Sequence, residues 1–183
     1  MKPTDFGEIN CSIARTYDVV GERWTLLIIR EAFFGTRRFD DFQRRLGVAR
    51  NILASRLETL VEAGVLKRKQ YQDRPPRFEY RLTEKGLDLH HLLLAIKAWG
   101  DRWTDSAAAR PLEARHDACG HRFEVRPTCS HCGGEVTART VTLELGAGAT
   151  SEDHEHWNEL KREREARRAA RTARPTVLPS VQR

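Results

Sequence analysis

The stretch FDDFQRRLGVARNILASRLETLVEAG, residues 39–64, decides the fold of this chain. Phe39, Phe42 and Leu46 recur at helical spacing and predict a short helix over residues 39–46, which Gly47 ends. A second helix is predicted over residues 49–63, with an apolar stripe formed by Leu53, Leu57, Leu60 and Val61. Two short helices joined by a tight glycine-containing turn are typical of a helix-turn-helix.

A β-hairpin is predicted directly after these two helices. Residues 65–71 and 77–82 have the composition of strands, and Asp73-Arg74-Pro75-Pro76 between them supplies a turn. The tip of this hairpin is basic and exposed. The pattern therefore predicts the wing of a winged helix-turn-helix.

Helices are also predicted on both sides of this core. Residues 9–34 indicate two helices that meet near Gly21, and Thr83 is expected to cap a long helix that runs to about Trp103. The stripe of that helix consists of Leu89, Leu92, Ile96, Trp99 and Trp103. Its length and heptad-like spacing favour packing against a second copy of the chain, with an ordinary core-facing stripe as the alternative.

We therefore predict a mainly α (α+β) fold, a winged helix-turn-helix with a two-stranded wing and a long dimerisation helix, followed by a small zinc-ribbon-like module. The predicted segments are an N-terminal arm (1–8), the DNA-binding and dimerisation domain (9–103), a linker (104–115), the module (116–145) and a charged, partly helical or disordered tail (146–183).

Charge and hydropathy limit the function classes. The chain has 183 residues and a formal net charge of +6, which suits a polyanionic partner such as nucleic acid. No apolar stretch near Met1 forms a signal peptide, and none approaches the ~20 residues that span a bilayer. We expect a cytoplasmic protein without a membrane partner.

Candidate DNA contacts lie on the second helix and around the hairpin. Arg50, Asn51 and Ser55 face outward near the start of that helix, Arg56 lies to one side, and Arg and Asn pair well with guanine and adenine. Positions better suited to phosphates are Arg37, Arg38, Lys67, Arg68, Lys69, Arg74 and Arg77. A solvated surface is the alternative for any one of them.

The cysteines indicate a second kind of site. His116, Cys119, Cys129 and Cys132 form two pairs, each with two residues between its members and each followed by Gly, which is the spacing of a zinc ribbon. His121 could replace His116, and His131 is a further competitor. We expect a structural zinc ion, with a thiol–disulfide element or a metal-free turn as alternatives. The charged tail would contact DNA phosphates or remain a solvated extension.

Residues 11–103 closely resemble the HxlR-type winged-helix regulators. The resemblance is carried by Cys11-Ser-Ile-Ala-Arg, Gly21-Glu-Arg-Trp-Thr-Leu-Leu-Ile-Ile-Arg30, Phe39-Asp-Asp-Phe-Gln, Arg56-Leu57, Glu62-Ala-Gly-Val-Leu66 and Tyr80-Arg-Leu-Thr-Glu-Lys-Gly86. It implies a homodimer that binds double-stranded DNA at a pseudo-palindromic operator, with the first and last helices of the domain making the dimer. Members of the family repress or activate genes, and we expect a repressor.

The resemblance also implies two points about single residues. The family usually has Ser at the position of Ala49, where a side chain caps the recognition helix, so the cap is lost here unless Asn51 takes over part of it. Some members sense oxidants through a cysteine at the position of Cys11, where Arg15 one turn on would help stabilise a thiolate. A buried, inert thiol is the alternative for Cys11.

Other function classes are less well supported. The sequence lacks a Gly-rich phosphate loop, a nucleophile elbow and a metalloprotease motif, so we do not expect an enzyme. A winged-helix module used only for protein contacts is the second alternative, against which the basic wing and the polar outward face of residues 49–63 both count. A small-molecule or oxidant effector fits the class, but no group of residues identifies one.

Overall fold

The computed structural model describes residues 6, 9–104 and 112–172, with only the backbone for residues 168 and 170–172. Most of the predicted N-terminal arm, residues 105–111 of the linker and the C-terminal end from residue 173 lie outside the described residues. The chain forms two compact units, Met1–Thr140 and Val141–Arg183.

The first unit contains the predicted helices and the predicted hairpin in the order that the sequence indicates. Its elements are α1 (Ser12–Val20), α2 (Thr25–Phe33), α3 (Phe39–Leu46), α4 (Arg50–Glu62), β1 (Leu66–Asp73), β2 (Pro76–Leu82), α5 (Glu84–Asp88), α6 (His90–Trp103), β3 (Ala114–Arg115) and β4 (Arg122–Phe123). The second unit contains α7 (Ser151–Thr172), the helix predicted for the charged tail. Thr150 begins α7, since its hydroxyl accepts from the N–H of Asp153 at 3.2 Å.

The core lies between α2, α3, α4 and the base of the hairpin. Ile28 and Ile29 of α2, Phe42 of α3 and the three leucines of α4 have no exposed surface. Val65 and Leu66 close the core where β1 begins. The apolar stripe predicted for α4 is therefore its buried face, and its polar residues are left on the outside.

The turn between α3 and α4 is as tight as the sequence predicts. Gly47 has φ 64°, a left-handed conformation that favours glycine, and its N–H donates to the carbonyl of Gln43 at 2.9 Å. Ala49 is the N-cap of α4 and makes no side-chain capping hydrogen bond. The first turn of α4 thus begins without the cap that Ser would supply.

The hairpin is the predicted wing, and its strands are longer than expected. β1 and β2 pair antiparallel from Leu66 opposite Leu82 to Asp73 opposite Pro76, with a bulge between Gln70 and Gln72. The segment before α3 also joins the sheet, because the N–H of Tyr80 donates to the carbonyl of Arg37 at 2.7 Å. This contact places residues 37–38 beside the wing.

Two local predictions are wrong. The single long helix from Thr83 is divided into α5 and α6, because Leu89 has ψ −9° and forms a tighter turn between them. The composition of residues 136–141 also suggests a strand of the zinc-ribbon-like module, but this fully described stretch is not a strand, and the N–H of Thr137 donates to Oγ1 of Thr140 at 2.8 Å. The hydroxyl of Thr140 thus accepts from a backbone N–H close by in sequence, which favours a turn over a strand.

The packing of α5 against the wing gives a test of the fold. An added Cβ at Gly86 would lie 2.2 Å from the carbonyl oxygen of Val65, whereas one at Gly100 of α6 has no neighbour within 4 Å. We expect Gly86→Ala to lower the free energy of unfolding by about 1–3 kcal/mol through overpacking. Gly100→Ala should raise it by about 0.5–1 kcal/mol, the usual gain of Ala in a helix. Urea denaturation at one chain concentration measures both, and equal effects would contradict this packing.

Candidate nucleic-acid interface

Helix α4 has two chemically distinct faces. Leu53, Leu57 and Leu60 are fully buried, whereas Arg50, Asn51, Ala54 and Ser55 are exposed at its N-terminal half. The exposed residues are small or carry hydrogen-bonding groups, so base edges can approach the helix closely. A helix held from behind and polar in front has the geometry that enters a major groove.

Arg50 is held loosely at the start of α4. Its Nη1 lies 3.6 Å from Oδ1 of Asp40, and its guanidinium carbon lies 4.7 Å from the centre of the Phe39 ring. The side chain remains 71% exposed. Because exposed ion pairs of this kind contribute little free energy, Arg50 can exchange Asp40 for a base or a phosphate at small cost.

Arg56 is placed differently from the other predicted contacts. Its Nη2 donates to Oε2 of Glu22 at 3.0 Å, and its side chain is only 25% exposed. Glu22 lies in the turn between α1 and α2, 34 residues away in sequence. No sequence pattern predicted this partner. The ion pair links α4 to that turn.

Basic residues of the wing and of the segment before α3 lie beside each other. Arg37, Lys67, Arg74 and Arg77 are exposed. Arg38 stacks on the Tyr71 ring at 4.6 Å and lies 3.8 Å from the carboxylate of Glu79. Lys67 faces Arg81 across the hairpin. The charge of Arg81 is paired with the carboxylate of Glu79 at 2.8 Å, which leaves Lys67 as the exposed cation of this cross-strand pair.

Glu79 is an acidic residue that lies among these positive charges. Hydrogen bonding from Arg81 at 2.8 Å, with the charges of Arg81, Arg38 and Arg37, holds the pKa of Glu79 below its usual range. The carboxylate therefore stays ionised and orients the arginines beside it. Sequence reasoning did not single out Glu79, because its role depends on the pairing of β1 with β2.

The predicted metal ligands form two pairs. His116 Nδ1 lies 3.3 Å from Cys119 Sγ. The backbone N–H groups of Cys132 and His131, together with the Cys132 thiol, lower the pKa of Cys129. Within the described residues, no three His, Cys, Asp or Glu side chains gather in a group that could hold a metal ion.

Cys11 stands at the N-cap of α1 and is half-buried. The backbone N–H groups of Ala14 and Ile13 hold the pKa of its thiol below the ordinary value of 9.0, and the charge of Arg15 makes a smaller contribution. This thiol is therefore ionised at lower pH than an unperturbed cysteine, which makes it a better nucleophile near neutral pH.

Large apolar side chains project from α1 and α6. Ile13 is 79% exposed, and Trp99 and Trp103 are 63% and 64% exposed. Tyr17 and Ile96 are exposed as well. The stripe predicted for the long helix is thus partly buried at its start, where Leu89 and Leu92 pack against the core. Its later residues, Ile96, Trp99 and Trp103, remain 43%, 63% and 64% exposed in one chain.

Comparisons with known proteins agree with this geometry. The model of the HxlR-like helix-turn-helix family matches residues 19–108. The HTH-type transcriptional regulator Rv3095 of Mycobacterium tuberculosis is 49% identical over 137 residues, which cover 75% of this chain and 87% of the relative. The chain belongs to the HxlR-like helix-turn-helix family, a class of DNA-binding transcriptional regulators.

Solved structures extend the likeness. The structure of PA1607, a proposed transcription factor, is 34% identical, has a TM-score of 0.70, and covers 78% of this chain and 100% of its own. PA1374 of Pseudomonas aeruginosa, another proposed transcription factor, is 37% identical with a TM-score of 0.57, and the match covers 80% of this chain and 99% of PA1374.

None of the described helices is long and apolar enough to cross a membrane.

The similarity includes the cysteine-bearing segment. A 137-residue match in a 183-residue chain always contains residues 47–137, wherever it begins. Residues 116–132 therefore lie within the region shared with the mycobacterial relatives. The segment is thus shared with these mycobacterial relatives.

Proposed function

We propose that the chain is a homodimeric transcriptional repressor that binds a pseudo-palindromic operator with one α4 in each half-site. The observation that carries the proposal is the division of α4 into a fully buried leucine face and an exposed face of Arg50, Asn51, Ala54 and Ser55. Occupation of an operator that overlaps a promoter excludes the polymerase without any further surface. Repression is therefore proposed over activation.

The candidate contacts divide into two groups by position. Arg50, Asn51 and Ser55 at the start of α4 are proposed to read base edges. Phosphate contacts are assigned to the exposed cations beside α3 and on the wing, namely Arg37, Arg38, Lys67, Arg74 and Arg77. Arg56, which is engaged with Glu22, is assigned the role of positioning α4.

The dimer is proposed to form through α1 and α6. Trp99 and Trp103 on α6, and Ile13 and Tyr17 on α1, are large apolar side chains left exposed in one chain, and exposed apolar patches mark interaction sites. A second copy of the chain would cover them by an isologous interface, the usual form in symmetric dimers. The two-fold axis of such a dimer matches the symmetry of a pseudo-palindromic operator.

Measurements of operator binding test which residues contact bases and which contact phosphates. We expect Asn51→Ala to weaken binding to the chain's own upstream DNA by about 5- to 150-fold, while binding to a scrambled duplex is unchanged. Lys67→Ala should weaken binding to both duplexes and lower the slope of log K against log salt by about 1, because one phosphate contact is lost. Fluorescence anisotropy across a salt series measures both effects.

The matched control is Glu62→Gln, at the far end of α4, which should not weaken binding. Equal affinity of the wild-type chain for the upstream and scrambled duplexes would contradict an operator at that position. Absence of binding to either duplex at low salt would favour a winged helix used for protein contacts.

Association in solution tests the proposed interface. Trp99→Glu places a charge within the apolar surface of α6 and should convert the dimer to monomers, with a loss of operator affinity because two half-sites are no longer bound together. Phe34→Glu, at another exposed aromatic residue, is the control and should leave the dimer intact. Light scattering after gel filtration gives the mass, and a dimer that survives Trp99→Glu would place the interface elsewhere.

A second function, thiol-based sensing, is favoured by the geometry of Cys11. Its thiol lies at the N-terminus of α1, where backbone N–H groups lower the pKa. Oxidation would add bulk and polarity at the first turn of a proposed dimer helix. We propose Cys11 as the sensing residue of a regulator whose operator affinity responds to oxidants.

The pH dependence of alkylation tests this second function. Because the pKa of Cys11 is lowered, its reaction with iodoacetamide should reach half its maximal rate below pH 9.0. Peptide-resolved mass spectrometry separates Cys11 from the other three cysteines. Peroxide should change the operator affinity of the wild-type chain and not that of Cys11→Ser. An unchanged response in Cys11→Ser would assign sensing to another residue.

A further inference from the structure

Two loops in residues 114–136 have the same backbone geometry. The N–H of Gly120 donates to the carbonyl of His116 at 2.7 Å, and the N–H of Gly133 donates to that of Cys129 at 2.8 Å. The two glycines have φ values of 71° and 72°. Both loops thus turn back in the same left-handed conformation, which favours glycine, one residue after a cysteine.

The match extends to the ends of each loop. His116 donates its N–H to the carbonyl of His121 at 2.9 Å, and Cys129 donates its N–H to that of Gly134 at 2.8 Å. Antiparallel pairing continues outward from each loop, through β3 and β4 in one and through the bridge between Thr128 and Glu135 in the other. The segment therefore consists of two equivalent knuckles, residues 116–120 and residues 129–133.

Each knuckle brings its two donor side chains together. His116 Nδ1 and Cys119 Sγ are 3.3 Å apart, and Cys129 and Cys132 occupy the equivalent positions of the second knuckle. A Cβ at Gly134 would lie 3.3 Å from Cys132 Sγ, so the following residue leaves space for that sulfur. Two equivalent pairs of soft or borderline donors make the set of a tetrahedral zinc site.

The knuckles have little else to hold them together. In the fully described stretch 112–145 no residue is buried; Val125 and Val136 are half-buried and Phe123 is exposed. The paired strands β3 and β4 are two residues each. An isolated hairpin of this kind is marginal in water, and small domains without a core usually rely on metals or disulfides.

We propose that the two knuckles close on one Zn²⁺ ion bound by His116, Cys119, Cys129 and Cys132. The two pairs are preformed but separate, since no group of three or more donors occurs among the described side chains. Only four residues, 124–127, join β4 to the strand that leads into the second knuckle. To bind one ion at ligand distances of about 2.0–2.3 Å, the two knuckles must move together. The short segment between them keeps the entropy cost of that movement small.

The geometry favours His116 as the histidine ligand over its two competitors. His116 already contacts the sulfur of Cys119 and occupies the same position in its knuckle as Cys129 does in the other. His121 occupies the position equivalent to Gly134, and His131 lies inside the second turn. With four protein ligands the shell is closed to water, so the ion has a structural role.

The full chain, purified under reducing conditions and freed of metal, tests this site. Titration with Co²⁺ should give one ion per chain, with the visible absorption of a tetrahedral thiolate complex, and Zn²⁺ should displace it. Cys132→Ser, Cys119→Ser and His116→Ala should each lower the affinity at least about 100-fold, more than the loss of an outer partner typically does. The controls Cys11→Ser, His121→Ala and His131→Ala should bind as the wild-type chain does.

A measurement on the wild-type chain keeps the test independent of folding defects in the variants. Removal of Zn²⁺ by a chelator should raise amide hydrogen exchange in residues 114–136 and leave exchange in α2, α3 and α4 unchanged. The proposal is overturned by a chain that takes up no Co²⁺, by a Cys129–Cys132 disulfide in place of metal, or by unchanged exchange in residues 114–136. Equal loss in Cys11→Ser or His121→Ala would overturn the ligand set. None of these outcomes bears on operator binding.

Discussion

The burial of one face of α4 is the constraint on which the rest of the structure depends. Leu53, Leu57 and Leu60 are enclosed by α2, α3 and the first residues of the wing, and each position is fully removed from solvent. Because a helix has fixed periodicity, burying these residues also determines which ones face outward. The placement of Asn51 and Ser55 toward solvent thus follows from the core, and a change in core packing would rotate the exposed face.

The parts of the fold that rest on periodicity could be predicted from the sequence. The helix-turn-helix, the wing and the order of the flanking helices follow from apolar spacing and from the turn residues around Gly47 and Pro75. What could not be predicted depends on contacts distant in sequence. The Arg56–Glu22 ion pair joins residues 34 positions apart, and the contact between Arg37 and Tyr80 arises only once the hairpin is formed.

Local conformation set a second limit on prediction. Trp24 has φ 80° at the start of α2, a left-handed conformation that is uncommon for a residue with a side chain, and no residue preference indicates it. The turn at Leu89 likewise interrupts a segment that the sequence predicts as one helix. At the candidate site, residue types could be assigned to bases or phosphates, but the partners of Arg50, Arg38 and Glu79 required the paired strands and the folded turn.

The ion pair of Arg56 with Glu22 connects two surfaces that are otherwise separate. Glu22 follows α1, one of the helices proposed to hold the dimer, and Arg56 belongs to the helix proposed to lie in the groove. Two recognition helices of a dimer must match a half-site separation of about 34–36 Å. In the proposed dimer, a tilt of α1 would pass through this pair to α4 and alter the spacing between the two recognition helices. Oxidation of Cys11, at the start of α1, would then change how well the proposed dimer fits its operator.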